Sequence, residues 1–399
     1  MKETAPLTPE EQLLLLTARL VLGALEEAQL DALLREPIDW DWLVAQSKPL
    51  RSQPLLHHHL AHPGRQEHVP KEALAAFERA YRLTTMKNLQ IYGSLRRVLT
   101  ALAEADVPVI VLKGAFLAQW VYGDFGLRPM SDLDCLCHKE DEEKLWRVMD
   151  ELGAELDAKG KMPIAEECLR VNEHIGHPPP RYLGKIVRIE VHFHLFGNRA
   201  SDPAHLGVDR WSRSLMHDWD GLPVRSLSWE HQILHLASHL HKHLNTGAIS
   251  LYWMADLHAI LRQRRESLDW EELCRMAAEL GVTGECQEVF DFLGEPWPHP
   301  VPAFRNPFTL RQALAPELNS ESKLRVYMGQ LRAARFAGGF WARLRFLARL
   351  VIPSKVWMAE RHPGAGSMAL AGWYFKDPLI RIGLVLRGVG AHVRRSLRD

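Results

Sequence analysis

The sequence contains few cysteines, no long apolar run and no basic leader. Its five cysteines, at positions 135, 137, 168, 274 and 286, are an odd number at unmatched spacings, which argues against a disulfide framework and favours a reducing compartment. No apolar run approaches the roughly 20 residues that span a membrane, and the first residues lack the basic-then-apolar order of a signal peptide. These absences predict a cytoplasmic protein without a transmembrane segment.

Net charge is also absent, because 49 basic residues balance 49 acidic ones. The balance is uneven: from Arg335 to Asp399, twelve basic residues stand against three acidic ones, a surplus of nine positive charges. Within this tail, Leu379–Leu397 has apolar residues at helical spacing, namely Ile382, Leu386, Val389 and Val393. We expect this helix to dock on the protein, with weak binding to a membrane surface or another partner as the alternative.

Apolar periodicity divides the chain into four regions. Residues 1–105 are predicted to be an N-terminal helical region, with helical segments at 8–34, 39–60 and 70–105. Residues 106–226 alternate strands and helices; we expect strands at 107–112 and 132–137, and 154–194 to complete the sheet. Residues 227–295 are predicted to be helical and packed on that sheet, and 296–399 a C-terminal helical region with the basic tail. The fold class predicted is therefore α+β.

The most informative residues are two aspartates, Asp132 and Asp134, at the start of the second strand. Residues i and i+2 of a strand point to the same face, so the two carboxylates lie side by side, where they repel each other and lose hydration. A divalent cation between them removes this conflict, and carboxylate oxygens suit Mg²⁺ or Mn²⁺. The pair therefore predicts a metal site.

A second polar strand face is predicted within residues 185–195. Apolar Val187, Ile189, Val191 and Phe193 alternate there with Arg188, Glu190, His192 and His194. An array of titratable side chains is either a solvated face or one wall of a cleft beside the aspartates. We favour the cleft, because it would lie next to Asp132 and Asp134.

Three motifs carry a resemblance to a known family. They are the turn Leu112–Gly114, the loop Leu127–Asp134, and the strand Arg188–His194 with Glu190 as a third carboxylate. Together they resemble the DNA polymerase beta-like nucleotidyltransferase superfamily and, within it, an uncharacterised bacterial nucleotidyltransferase family. The pair Lys113 and Gly114 stands where the superfamily usually carries Gly-Ser, and in this it matches the narrower family.

The resemblance implies an enzyme, a nucleotidyltransferase with a polymerase beta-like palm, a small mixed sheet with helices, at residues 106–226. It implies that Asp132, Asp134 and Glu190 are catalytic and bind Mg²⁺ or Mn²⁺. It also implies a nucleotide-binding set, which is Lys113, Gly114, Arg128 and Ser131. The substrates would be an NTP, ATP foremost, and a hydroxyl of an unknown small molecule, peptide or protein. The alternatives are a non-catalytic nucleotide-binding or scaffold protein and a phosphoryltransferase with the same metal site.

A histidine-rich segment follows in the next helical region. His231, His235, His239 and His243 recur every four residues, and Asp256 lies in the following predicted helix. Residues four apart share a helix face, but four in succession cannot converge on one ion. Polar packing, a zinc-binding pair and a role in the cleft all remain open. The residues that we expect in the cleft are His192, His239, His243 and Asp256.

Overall fold

A computed structural model describes residues 6–156, 180–184, 187–196, 210–246, 250–298 and 341 of the chain. It has the expected α+β composition, with a mixed sheet of seven strands. The strands are β1 (Val109–Val111), β2 (Asp132–Cys137), β3 (Ala154–Leu156), β4 (Arg181–Leu183), β5 (Val187–His192), β6 (Leu215–Trp219) and β7 (Leu222–Ser226). The expectation of a small sheet is not confirmed. The predicted basic helix at 379–397 lies outside the described residues.

The strands that carry the three acidic residues occupy the interior of the sheet. The strand order is β3-β4-β5-β2-β1-β7-β6; β2 runs parallel to β5 and antiparallel to β1. Both edges of β2 are paired with strands, so its side chains point to the two faces of the sheet. The apolar side chains pack in the core, and Leu133 has no exposed surface. The acidic face of β2 is thereby held next to that of β5.

The prediction that residues 154–194 complete the sheet is wrong. A hairpin of β6 and β7 extends the sheet beyond β1, and Ile110 pairs in parallel with Arg225. Asp220 and Gly221 form the hairpin turn with φ of 49° and 80°, and an Asp-Gly pair with positive φ is typical of the tightest hairpin turns. The Asp-Gly dipeptide therefore indicates this hairpin, which the pattern of apolar residues alone did not predict.

Helices precede, separate and follow the strands along the chain. In the N-terminal part they are α1 (Pro9–Thr17), α2 (Ala24–Leu33), α3 (Trp40–Ser47), α4 (Gln53–Leu60) and α5 (Lys71–Glu104). The prediction of one helix over 8–34 is wrong, because a second helix begins after Gly23, whose N–H donates to Glu26 Oε2 at 2.7 Å. Residues 70–105, expected as one helix or two, form the single helix α5.

The remaining described α-helices lie between and after the strands. They are α6 (Lys113–Leu117), α7 (Glu142–Glu151), α8 (Trp229–Thr246), α9 (Tyr252–Arg264), α10 (Trp270–Glu279) and α11 (Thr283–Leu293). The side chain of Asn88 on α5 donates to the carbonyls of Phe125 and Arg128, at 2.6 Å and 2.8 Å. This fixes α5 against the loop that leads into β2. Among the described residues, no helix combines the length and the apolar character needed to cross a bilayer.

Candidate active site

The parallel register of β2 and β5 brings the predicted acidic residues to one face. Asp134 lies directly opposite Glu190, and Asp132 lies opposite Arg188. Residues paired in this way point to the same side of a sheet. Because Asp132 and Asp134 are two residues apart, all three carboxylates share that side.

Asp134 is the centre of this face. Its Oδ1 atom accepts a hydrogen bond from Lys113 Nζ at 3.0 Å and lies 2.6 Å from His192 Nε2, and the residue is only 5% exposed. Burial by itself would raise the pKa of Asp134, but Lys113 and His192 outweigh it and hold the pKa well below its usual range. Asp134 is therefore ionised at neutral pH.

Lys113 reaches Asp134 from an unusual backbone conformation. Its φ is 45°, in the left-handed region that residues with a Cβ rarely adopt. Lys113 begins α6 immediately after β1, so this turn directs the ammonium group over the sheet face. Burial opposes its charge, but Asp134, Glu190 and Asp132 together raise the pKa of Lys113. The ammonium group is thus a fixed counter-ion of the acidic face.

Asp132 and Glu190 are half-buried and lie on either side of Arg188. The guanidinium of Arg188 forms an ion pair with Glu190, and its Nη1 lies 3.7 Å from Asp132 Oδ2. Burial and the neighbouring charge of Asp134 raise the pKa of both carboxyl groups, as expected where like charges crowd. Ser131, an exposed residue, acts in the opposite direction on the pKa of Asp132.

The described residues include one group with the spacing of a metal site. One ligand atom from each of Asp134, Glu190 and His192 lies within 4.8 Å of the other two. Two carboxylates and an imidazole within this distance form a donor set that fits a divalent cation. Sequence analysis placed His192 only in the surrounding cleft, whereas the structure places it in the donor set itself.

Arg128 and Asp256 meet elsewhere, in a buried network. Arg128 Nε and Nη2 donate to the two carboxylate oxygens of Asp256, at 3.0 Å and 2.8 Å. Tyr122 Oη donates to Asp256 at 2.9 Å, and the Arg128 guanidinium lies 4.8 Å from the Tyr252 ring centre. The side chains of Arg128 and Asp256 are 5% and 0% exposed.

This burial corrects the expectation that Asp256 lines the cleft. Its carboxylate has no exposed surface and serves as the counter-ion of Arg128, so it does not contact a substrate in this conformation. The phosphate contact expected of Arg128 stays a prediction, because the contacts that Arg128 makes are internal. The pair joins the loop before β2 to α9, at a sequence separation of 128 residues.

Gly114 is required by this network. A Cβ atom at position 114 would lie 2.1 Å from Arg128 Nη1. The guanidinium of Arg128 is held by Asp256, and its backbone carbonyl accepts a hydrogen bond from Asn88. The expected role of Gly114, close approach to phosphate, remains a prediction. The structure adds a separate reason for glycine here.

We therefore expect Gly114→Ala to lower the free energy of unfolding by about 1–3 kcal/mol, the usual cost of overpacking. Urea unfolding monitored by circular dichroism measures this change. Gly93→Ala on α5 is the control, because a Cβ there would meet no atom within 4 Å. Equal stability of the two variants would show that Arg128 can move away from Gly114.

The histidines of α8 lie close to the acidic face but form a cluster of their own. The His239 and His243 ring centres are 4.6 Å apart, and they lie 5.1 Å and 4.1 Å from that of Trp253. Burial, together with the neighbouring Lys113 and His243, holds the pKa of His239 well below its usual range. His239 is thus a neutral imidazole beside Lys113.

Several residues near the face were missed by sequence analysis. Arg188 was assigned to the polar strand face without a role. Lys242 on α8 and Lys87 on α5 are exposed and also lie near the site, where the charges of Glu190 and Asp132, respectively, favour the charged ammonium groups. The sequence around an isolated basic residue on a helix does not indicate that the residue lies near the acidic face, because its distance from the sheet depends on packing.

Comparisons with known proteins give one family and one solved structure. The model of a family described as "Uncharacterised nucleotidyltransferase" matches residues 36–296, more than half of the chain. No curated protein matches. The solution structure of the antibiotic-resistance factor ANT(2'')-Ia is similar over 48% of this chain and 91% of that one, with 14% sequence identity and a TM-score of 0.33.

Proposed function

Because the chain belongs to the uncharacterised nucleotidyltransferase family, we propose that it transfers a nucleoside monophosphate from a nucleoside triphosphate, ATP foremost, to an acceptor hydroxyl. The oxygen of the hydroxyl forms a bond to the α-phosphorus, and the bond from that phosphorus to the β-phosphate bridging oxygen breaks. Pyrophosphate leaves with the electron pair, and the hydroxyl proton passes to a carboxylate of the acidic face. The observation that supports this reaction is the common face of Asp132, Asp134 and Glu190.

In this proposal, Asp134 and Glu190 hold a divalent cation, Mg²⁺ or Mn²⁺, together with His192 or Asp132. Bound there, such a cation would polarise the triphosphate oxygens and lower the pKa of the attacking hydroxyl. The ionised state of Asp134 favours this role, because a metal ligand must be deprotonated. His192 also orients Asp134 through the 2.6 Å contact.

Lys113 and Ser131 bind the nucleotide in this proposal. Lys113 is already directed at the acidic face by its left-handed turn, and its ammonium group would stabilise charge on the phosphate oxygens. Ser131 is exposed and adjacent to Asp132, so it is accessible to a nucleotide. The neutral imidazole of His239 lies near Lys113 and Asp134, where it could donate or accept a hydrogen bond. The His243 ring, 4.6 Å from it, belongs to the same cluster.

The proposed palm spans residues 106–226, with helical regions at 1–105, 227–295 and 296–399. Within the described part of the chain, every strand falls between Val109 and Ser226, which supports this division. The palm is polymerase beta-like in the proposal because its two aspartates lie on one strand and Glu190 on a neighbouring strand.

The reaction is tested with ATP labelled at either the α or the γ phosphorus, incubated with the full chain, Mg²⁺ and a pool of hydroxyl compounds. Transfer of the α label with release of pyrophosphate is the expected result. Transfer of the γ label would instead identify a phosphoryltransferase. ATP binding without transfer of either label would identify a binding or scaffold protein.

Lys113→Ala is expected to weaken the binding of a non-hydrolysable ATP analogue about tenfold or more, since a hydrogen bond to a charged group contributes about 1.5–3 kcal/mol. The loss should be larger at low ionic strength, where charge is screened less. Titration calorimetry at two salt concentrations measures both effects. Lys144→Ala, an exposed lysine on α7, is the control, and unchanged affinity in Lys113→Ala at both concentrations would remove Lys113 from the site.

A further inference from the structure

Arg188 occupies the space between two carboxylates of the acidic face. It lies opposite Asp132 in the β2–β5 register, forms an ion pair with Glu190 and places Nη1 3.7 Å from Asp132 Oδ2. Its side chain is 34% exposed. A permanent cation therefore sits among the side chains to which the proposed function assigns the metal.

Arg188 and a divalent cation compete for the same oxygens. A guanidinium carries a fixed positive charge, and a divalent cation a few ångströms away would repel it strongly in a partly buried site. A carboxylate that binds a divalent cation no longer needs the guanidinium as its counter-ion. Metal binding therefore weakens the attraction that holds Arg188 next to Glu190 and Asp132.

The displaced guanidinium stays within the site, because its strand is held on both sides by β2 and β4. A planar guanidinium fork matches the oxygens of a phosphate group in a bidentate fashion. Arg128 is poorly placed for this role, because its side chain is only 5% exposed and is held by Asp256. Arg188 is partly exposed, and its ion pairs with Glu190 and Asp132 involve carboxylates that the metal would claim.

We propose that Arg188 is a nucleotide-binding residue that pairs with Asp132 and Glu190 in the metal-free protein and contacts the triphosphate once a divalent cation has bound. This inference rests on the proposed function, since it takes the metal and the nucleotide from it. It assigns to Arg188 a contact with the triphosphate that replaces its ion pairs with Asp132 and Glu190. Metal binding and nucleotide binding are thereby coupled through one side chain.

The proposal predicts effects of opposite sign from one substitution. Arg188→Gln removes the competing cation, so Mn²⁺ alone should bind about three- to tenfold more tightly. The same change removes a phosphate contact, so an ATP analogue with Mg²⁺ should bind about tenfold more weakly. A cross-strand pair that only stabilises the sheet would not raise metal affinity, because its loss would loosen the site.

Both affinities are measured on the full chain by titration calorimetry, with Mn²⁺ first and then with the Mg²⁺ complex of a non-hydrolysable ATP analogue. Arg225→Gln on β7, a partly buried arginine whose Nη1 donates to Ser214 Oγ at 2.7 Å, is the matched control and should change neither affinity. Arg188→Lys keeps the charge but loses the fork, so its Mn²⁺ affinity should equal that of the wild type while nucleotide binding falls. Thermal unfolding verifies that each variant is folded.

Unchanged or weaker Mn²⁺ binding in Arg188→Gln would overturn the proposal. Tighter Mn²⁺ binding with unchanged nucleotide affinity would also overturn it, since Arg188 would then be a competitor of the metal and nothing more. Failure of the proposed function is a distinct result: the wild-type protein would bind no ATP analogue, and the nucleotide role of Arg188 would fall with it.

Discussion

Asp134→Asn is expected to lower the rate of nucleotidyl transfer by at least about 100-fold. Asp134 is the ionised carboxylate at the centre of the acidic face, and its contacts with Lys113 and His192 hold it there. Asparagine keeps the shape but removes the charge that would hold a divalent cation, and several kcal/mol of transition-state stabilisation depend on that cation. Each 1.36 kcal/mol corresponds to a factor of ten in rate.

The measurement is the single-turnover rate of α-label transfer, with calorimetry of Mn²⁺ binding beside it. The variant should remain folded, because Lys113 still faces Glu190 and Asp132. Asp218→Asn is the control; Asp218 is exposed on β6, near the far edge of the same sheet. Wild-type turnover in Asp134→Asn would exclude Asp134 as a ligand and contradict the proposed reaction.

Asp256→Asn is expected to lower the free energy of unfolding by about 3–5 kcal/mol, a large part of a typical net stability of about 5–15 kcal/mol. The neutral side chain would leave the Arg128 guanidinium buried without a counter-ion. Tyr122 would also lose the carboxylate that its hydroxyl donates to. Urea unfolding measures the change, with exposed Asp41→Asn on α3 as the control.

The double variant Arg128→Met with Asp256→Leu tests whether the loss of stability comes from the unpaired charge of Arg128. Replacing both members of a buried pair with apolar residues is often close to neutral, so this protein should regain most of the stability lost in Asp256→Asn. A loss below about 1 kcal/mol in Asp256→Asn would show that water or another group neutralises Arg128.

Local patterns predicted the elements that carry the acidic face. The span Asp132–Cys137 is a strand in the structure as it was in the prediction. From Val187 to Val191, β5 alternates buried and partly exposed residues as its sequence indicated. These strands could be predicted because the two-residue period of a strand is visible within a few consecutive residues of the sequence. The hairpin at 215–226 was missed, because its strands are short and its partner β1 lies more than 100 residues earlier.

Charge partners were beyond the reach of the sequence. Arg128 stands in the same motif as Asp132, yet its counter-ion is Asp256, on a helix that the chain reaches much later. Lys113, at the start of α6, forms an ion pair with Asp134, but nothing in the sequence indicates which basic residue neutralises which acid. Ion pairs between distant residues are set by packing, and packing depends on the whole core.

The sequence by itself determined the strand that bears two adjacent carboxylates, the strand that bears the third, and the family to which these motifs point. These features follow from residue order, because side-chain direction alternates along any strand. The tertiary structure alone decided that Asp134 and Glu190 stand in register, that His192 joins them, and that Arg188 rather than Arg128 pairs with Glu190 and Asp132. Those relations arise from the parallel pairing of β2 and β5 and from the burial of Asp256, which bring together residues far apart in the chain.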